Sequence, residues 1–305
     1  MTVAIIGGGP AGLYLALLLR RANAGRRVVV LERNAPDDTF GWGVVFSEAT
    51  LDNLRAADPE SYAELERHFA RWDDIDVHFR GRTITSGGHG FVGIARTALL
   101  RVLRERACAL GADLRFREEV SDDGALVALG LGDAEVIVGA DGIKSGVRRR
   151  HEAAFGPTVE QGLARYAWLG TAQRFDAFTF CIVENEHGVF QAHAYQFAPD
   201  RSTFIVECDE ASWRAAGFDR LDADASLRLC ERMFAPWLGG HALMSNARHL
   251  GGMGWTRFAQ VKNERWSDGN VVLLGDAAHT AHFSVGSGTK LAMEDAITLA
   301  RELSS

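Results

Sequence analysis

The feature that most constrains this chain stands at its start. "TVAII" (2–6) is a short run rich in β-branched residues, "GGGPAG" (7–12) follows at once, and an apolar helical pattern then runs to Arg21. "RRVVVLER" (26–33) reads as a second buried strand. Strand, glycine turn, helix and strand make a βαβ opening. Gly7, Gly9 and Gly12 supply the GxGxxG spacing, with Pro10 and Ala11 inside it, and Glu32 falls twenty residues after Gly12. In a dinucleotide fingerprint the first glycine makes the turn and the second lets the backbone approach a pyrophosphate. The third allows close helix–strand packing, and the acid takes a ribose hydroxyl. The helix N-terminus offers its free N–H groups to the phosphates. Arg33, next to Glu32, joins the candidate cofactor residues.

Further along, "SEATLDNLRAAD" (47–58) reads as a helix with Ser47 as N-cap. "IDVHFRGRTITS" (75–86) reads as a hairpin, and "RTALLRVLRERACALG" (96–111) as an amphipathic helix stopped by Gly111. "ADLRF" and "AEVIVGADG" return to buried strands. The middle differs: strands at 164–173, 178–185, 188–197 and 202–208 follow one another with short polar turns, which predicts an antiparallel sheet. Helical patterns follow near 210–216 and 222–235, and "GNVVLLGDAAH" (269–279) restores the strand-to-glycine-turn pattern. The expectation is an α/β fold, a Rossmann-type nucleotide domain interleaved with an antiparallel-sheet substrate domain. Residues 1–72, 92–157 and 258–305 form the first, and 73–91 and 158–257 the second.

Composition sets the outer bounds. The 305 residues are 47% hydrophobic and 24% charged, which suits a globular protein with one large or two modest cores. The formal charge of −7 argues against a nucleic-acid or anionic-membrane partner. Cys108, Cys181, Cys208 and Cys230 form no CxxC pair and suit a reducing compartment. The N-terminus has no signal-peptide pattern, and "LYLALLL" (13–19) is too short to span a bilayer. The expected location is the cytoplasm.

"LLGDAAHTAHFSVGSGTK" (273–290) raises a choice. Asp276, His279 and His282 at spacings of three suggest a metal site; the glycines suggest a ligand pressed on the backbone. Two later motifs bear on it: "VIVGADGIKSGVRR" (136–149) places Asp141, Gly142, Ser145 and Arg148 after a strand, and "VVLLGDAAH" places Gly275 and Asp276 after another. Only one fingerprint is present, since "GLGDAE" (130–135) lacks its closing glycine. With the N-terminal fingerprint, this ordered trio resembles the class A flavoprotein monooxygenases, which are 4-hydroxybenzoate hydroxylase-like in fold.

The resemblance implies FAD bound through its ADP half at the fingerprint. The Asp141–Gly142 motif then serves FAD and the nicotinamide route, and Asp276 takes a ribityl hydroxyl. Arg96, opening its helix, meets the FAD phosphate or ribityl region. "VGSGTK" (285–290), with Gly286, Ser287, Gly288 and Thr289, brings backbone N–H groups to the flavin ring, and a helix starting near Gly288 aims its positive end at it. The metal reading yields to this one. Many members carry a proline pair and "GQGxN" where this chain has "HFSVGSGTK", so His282, Phe283 and Lys290 depart from the common pattern. "FGWGVVFSE", "AHAY", "STFIVEC" and "HFSVGSGTKLAMEDA" resemble a subgroup containing salicylyl-CoA 5-hydroxylase and 2-aminobenzoyl-CoA monooxygenase.

That family reduces FAD with NADH or NADPH, and the reduced flavin and O2 give a C4a-hydroperoxyflavin that hydroxylates an activated aromatic ring. The substrate implied is a small aromatic molecule, here an acyl-CoA thioester such as salicylyl-CoA. A base for the activating group is expected from His193 or His282, with Tyr195 beside His193 on one strand face and Phe190, Ala192 and Ala194 on the other. Trp42 and Gly43, in the loop after the second strand, are placed to touch flavin or substrate, whereas Trp168 reads as sheet core. Rival readings are a hydroxylase of a free aromatic or indole substrate, an FAD-dependent reductase, a halogenase (no WxWxIP segment is present) and a truncated flavin-binding module without turnover. Relatives usually continue past the helix holding Glu294 and Asp295, so the family's C-terminal helices are expected to be missing from this chain.

Overall fold

The computed structural model describes residues 1–38, 41–246, 254–281 and 288–304. His282, Gly286 and Ser287, named above, lie outside the described residues. Strand β1 (Thr2–Ile6) and β2 (Arg27–Glu32) flank the helix Pro10–Ala22, as the βαβ reading requires. Then come β3 (Gly43–Ser47), β4 (Ala70–Trp72), the hairpin β5 (Ile75–Phe79) and β6 (Arg82–Ser86), and β7 (Phe91–Ala95). The helix Arg96–Ala109 leads to β8 (Asp113–Phe116) and β9 (Val136–Gly139). Four long strands follow: β10 (Pro157–Thr171), β11 (Phe178–Asn185), β12 (Gly188–Ala198) and β13 (Arg201–Cys208). The last are β14 (Leu243–Ser245), β15 (Trp255–Asn263), β16 (Ser267–Asp268) and β17 (Val271–Leu273), before the helix Gly288–Glu302.

One sheet has the order β16-β17-β9-β1-β2-β8, parallel throughout except for β16. Its central strands are buried on both faces, which explains their unbroken Val, Ile and Leu runs. On one face lies the helix Pro10–Ala22, with Leu13, Leu15, Leu17 and Leu19 all buried. Each such leucine contributes about 1.5–3 kcal/mol on burial. The helices Arg96–Ala109 and Gly288–Glu302 cover it in turn, through Leu99, Leu103, Met293 and Ala296. A small sheet, β3-β7-β4, leans on β12.

The larger sheet runs β14-β10-β13-β12-β11-β5-β6, with β15 also paired to β10. It is antiparallel as the sequence suggests, except that β5 joins β11 in parallel. Strand β10 lies beside β13, not β11, and starts at Pro157 because β15 pairs with its polar first half. Its two faces differ. Ala167, Leu169, Phe190, Ala192, Ala194, Phe204 and Val206 meet Trp213, Phe218, Phe234 and Leu238 from the helical segment after β13, forming the second core. The opposite face carries a cross-strand row of Trp168, Ile205, His193 and Phe180. Trp168 is therefore not part of that core. It stands on the other face, where Gly41 lies against its ring. The result is an α/β fold with a Rossmann-type FAD-binding sheet and an antiparallel sheet, the 4-hydroxybenzoate hydroxylase-like architecture. No helix among the described residues is long and apolar enough to cross a membrane.

Candidate active site

The glycine turn divides its labour as the spacing foretells. Gly7 has φ +114°, open to glycine at little cost, and a Cβ there would stand 2.2 Å from the Ala140 carbonyl oxygen. A Cβ at Gly12 would stand 2.0 Å from Gly7 O, so the helix could not sit this close to β1. Gly9 is different: a Cβ on it would meet nothing within 4 Å, and its backbone is ordinary extended chain. The glycine there leaves an open cradle at the helix N-terminus, which fits a pyrophosphate. Pro10 begins the helix, where its missing N–H costs nothing, and Ala11 packs toward Gly275. Glu32 is held at the end of β2. Its carboxylate accepts from Gly8 N at 2.7 Å and from Asn34 N at 2.8 Å. Arg33 is exposed.

The other two motifs meet beside this turn. Asp141 is committed to its own loop, accepting from Ser145 Oγ at 2.5 Å and Gly146 N at 2.6 Å. It therefore braces the start of the helix Gly146–Arg150 instead of presenting free oxygens to a ligand; Gly142 takes the left-handed turn, φ +77°. Arg148, buried, donates to Ile143 O at 2.6 Å and Ala277 O at 2.9 Å, tying this loop to the glycine–aspartate turn. Gly275, φ +61°, opens that turn where Ala11 and Ala292 converge. Asp276 follows. Solvent reaches its side chain, yet protein crowds it, as in the wall of an open crevice. That crowding raises its carboxyl above the usual range, and the charge of Arg96 opposes the rise. Arg96 is pushed down by desolvation, and its Nε has no hydrogen-bond partner among the described residues. An orphaned guanidinium N–H close enough to an aspartate to feel its charge fits the phosphate and ribityl oxygens of FAD. Gly288 and Thr289 open the helix Gly288–Glu302. His279, from the same turn, bonds Asp295 of that helix at 2.8 Å, which raises its pKa above 6.5.

The His193 face of the larger sheet comes near Asp276 at one end. Its Tyr166 end feels Asp276, whose charge, after burial, helps to raise the phenol. Segment 41–43 covers the other end. Trp42 lies on Gly170, where a Cβ would come within 2.6 Å of its ring, and Gly43 must be glycine because Phe197 packs against it. The indole nitrogens of Trp42 and Trp168 are buried without partners among the described residues. Tyr195, expected among the catalytic groups, is instead a strut: its hydroxyl donates to Gly43 O at 2.8 Å, and burial pushes it up to about 12. His193 is 1% exposed and lies between the two ends. Gln191 Nε2 stands 2.6 Å from its Nε2, and Glu207 Oε2 3.5 Å from the same nitrogen. Sequence reasoning missed Tyr166, Glu207 and the bridging role of Arg148. Alternation along "ARYAW" and "STFIVEC" puts Tyr166 and Glu207 on definite faces, but only strand pairing joins those faces to that of His193.

Among the described residues, no three His, Cys, Asp or Glu side chains gather as a metal ion requires. What gathers instead is a dinucleotide turn, an aspartate and an orphaned arginine. A family model described as FAD binding domain matches residues 1–305. The chain belongs to that FAD-binding family. It is 46% identical over 311 aligned residues to a salicyloyl-CoA 5-hydroxylase of a Streptomyces species, covering 99% of this chain and 58% of that protein. It is 39% identical to the 3-hydroxy-4-methyl-anthranilyl-[aryl-carrier protein] 5-monooxygenase of Streptosporangium sibiricum, over 99% of this chain and 79% of that protein. The fold also matches 2-methyl-3-hydroxypyridine-5-carboxylic acid oxygenase with TM-score 0.77 at 19% identity, covering 99% of this chain and 82% of that one. The resemblance to FAD-dependent aromatic monooxygenases therefore holds, and FAD is the family's cofactor. The chain spans little more than half of the first of these relatives.

Proposed function

We propose that this chain forms the flavin- and substrate-binding body of an enzyme that hydroxylates an activated aromatic ring, using NADH or NADPH as reductant and O2 as co-substrate. The observation that carries the reading is the glycine turn with its open cradle at Gly9, together with Arg96, whose buried Nε has no partner among the described residues. Gly9, Glu32, Arg96 and Asp276 would hold FAD, which when bound supplies the oxygen-activating chemistry. The protein's own part is to orient the ring, exclude water and manage a proton. His193 is the base for the ring's hydroxyl or amino group, set among aromatic side chains that keep water away. Residues 1–72, 92–157 and 258–305 then serve the cofactor, and 73–91 and 158–257 the substrate. The relatives' names favour an aromatic acyl thioester as substrate. All four cysteines are free thiols, which suits a cytoplasmic enzyme.

The test is NAD(P)H oxidation by the FAD-loaded chain with salicylyl-CoA, 2-aminobenzoyl-CoA, their free acids and tryptophan. Strong stimulation by one thioester, with a product heavier by one oxygen atom, supports the reading. Tight flavin with no stimulation by any compound would sink the thioester reading and leave a flavin-binding module.

A further inference from the structure

The substrate face is notable for the charges it lacks. Residues 166–170, 178–182, 191–195 and 203–207 build its centre and include no lysine or arginine. The one carboxylate there is Glu207, 17% exposed and 3.5 Å from His193. Arg96 is already opposed to Asp276. An aromatic acid lying on this face would bring a second carboxylate beside Glu207 with no lysine or arginine among these strand residues to meet it. Like charges forced together without water repel strongly. An ester or thioester carbonyl asks only for a donor, and the second N–H of the Gln191 amide offers that chemistry.

We propose that Glu207 is a specificity-determining residue, admitting aromatic substrates whose acyl group is uncharged and turning away free carboxylates. The inference rests on the functional reading above but assigns the discrimination to acyl charge, not to the CoA nucleotide. The experiment compares salicylate, methyl salicylate and the N-acetylcysteamine thioester of salicylate on the FAD-loaded chain and on its Glu207→Gln variant. Binding is followed by tryptophan fluorescence and turnover by hydroxylated product. The unaltered chain should bind both uncharged esters at least roughly tenfold more tightly than salicylate, and Glu207→Gln should shrink that ratio by a similar factor. An unchanged ratio, including one in which all affinities fall together as a structural defect would make them, overturns the proposal. So does failure of the uncharged esters to bind the unaltered chain. If the esters bind and nothing is turned over, the functional reading fails, while the ratio of affinities still decides the role of Glu207.

Discussion

Two glycines three residues apart do opposite things, and substitution separates them. Gly12→Ala forces a Cβ against Gly7 O at 2.0 Å, so it should cost about 3 kcal/mol or leave the chain unfolded, read by denaturant melting. Gly9→Ala meets open space in an extended backbone; it should melt within about 0.5 kcal/mol of the parent yet bind FAD more weakly in a flavin titration. If Gly9→Ala binds FAD unchanged, the cradle has been misplaced. Tyr195→Phe removes a buried bond to Gly43 O and should cost about 1–3 kcal/mol, without moving the pH profile of hydroxylation. At this scale the fingerprint is plainly legible because its spacing is local, although only Gly12 answers a neighbour inside the βαβ unit, while Gly7 answers Ala140 after β9. The strut role of Tyr195 is not legible, since its partner lies 152 positions away.

Two joints between elements lend themselves to measurement. Arg148 spans two carbonyls from different loops, and a lysine ammonium lacks the fork to reach both. Arg148→Lys should lower stability by about 2 kcal/mol and weaken FAD binding, seen by thermal melting and flavin release. The His279–Asp295 pair raises His279 above its ordinary 6.5. Its stabilisation is therefore complete below about pH 6.5 and fades as pH rises through the raised value. Asp295→Asn should cost roughly 1 kcal/mol or less at about pH 6, and less still at about pH 9. A gap in melting temperature that grows with pH would contradict the pairing. Periodicity makes the longer helices and most strands legible, but not the short helices Pro59–Glu66 and Asp123–Ala128. The early start of β10 was hidden because "PTVEQGLA" has no apolar alternation; the ladder from β15 holds it in strand form. The parallel join of β5 to β11 was hidden likewise, for a hairpin's sequence says nothing of the strand it will lie against.

Over the whole molecule, the dinucleotide sheet and the larger sheet come together where the charge of Asp276 reaches Tyr166 of β10, on the same strand face as Trp168. Strand alternation then sorts the larger sheet into two populations of side chains. Those facing the second core fill space against Trp213, Phe218 and Phe234; those on the opposite face meet the 41–43 segment and one another. The two are interleaved residue by residue and yet physically independent. Natural variation can therefore rewrite one column of letters and leave the next untouched. Of the even positions of β10 and β11 and the odd positions of β12 and β13, Gly170, Tyr195 and Thr203 are held by the 41–43 segment; the others, His193 and Glu207 among them, are a small alphabet from which one scaffold can acquire new chemical tastes without relearning how to fold.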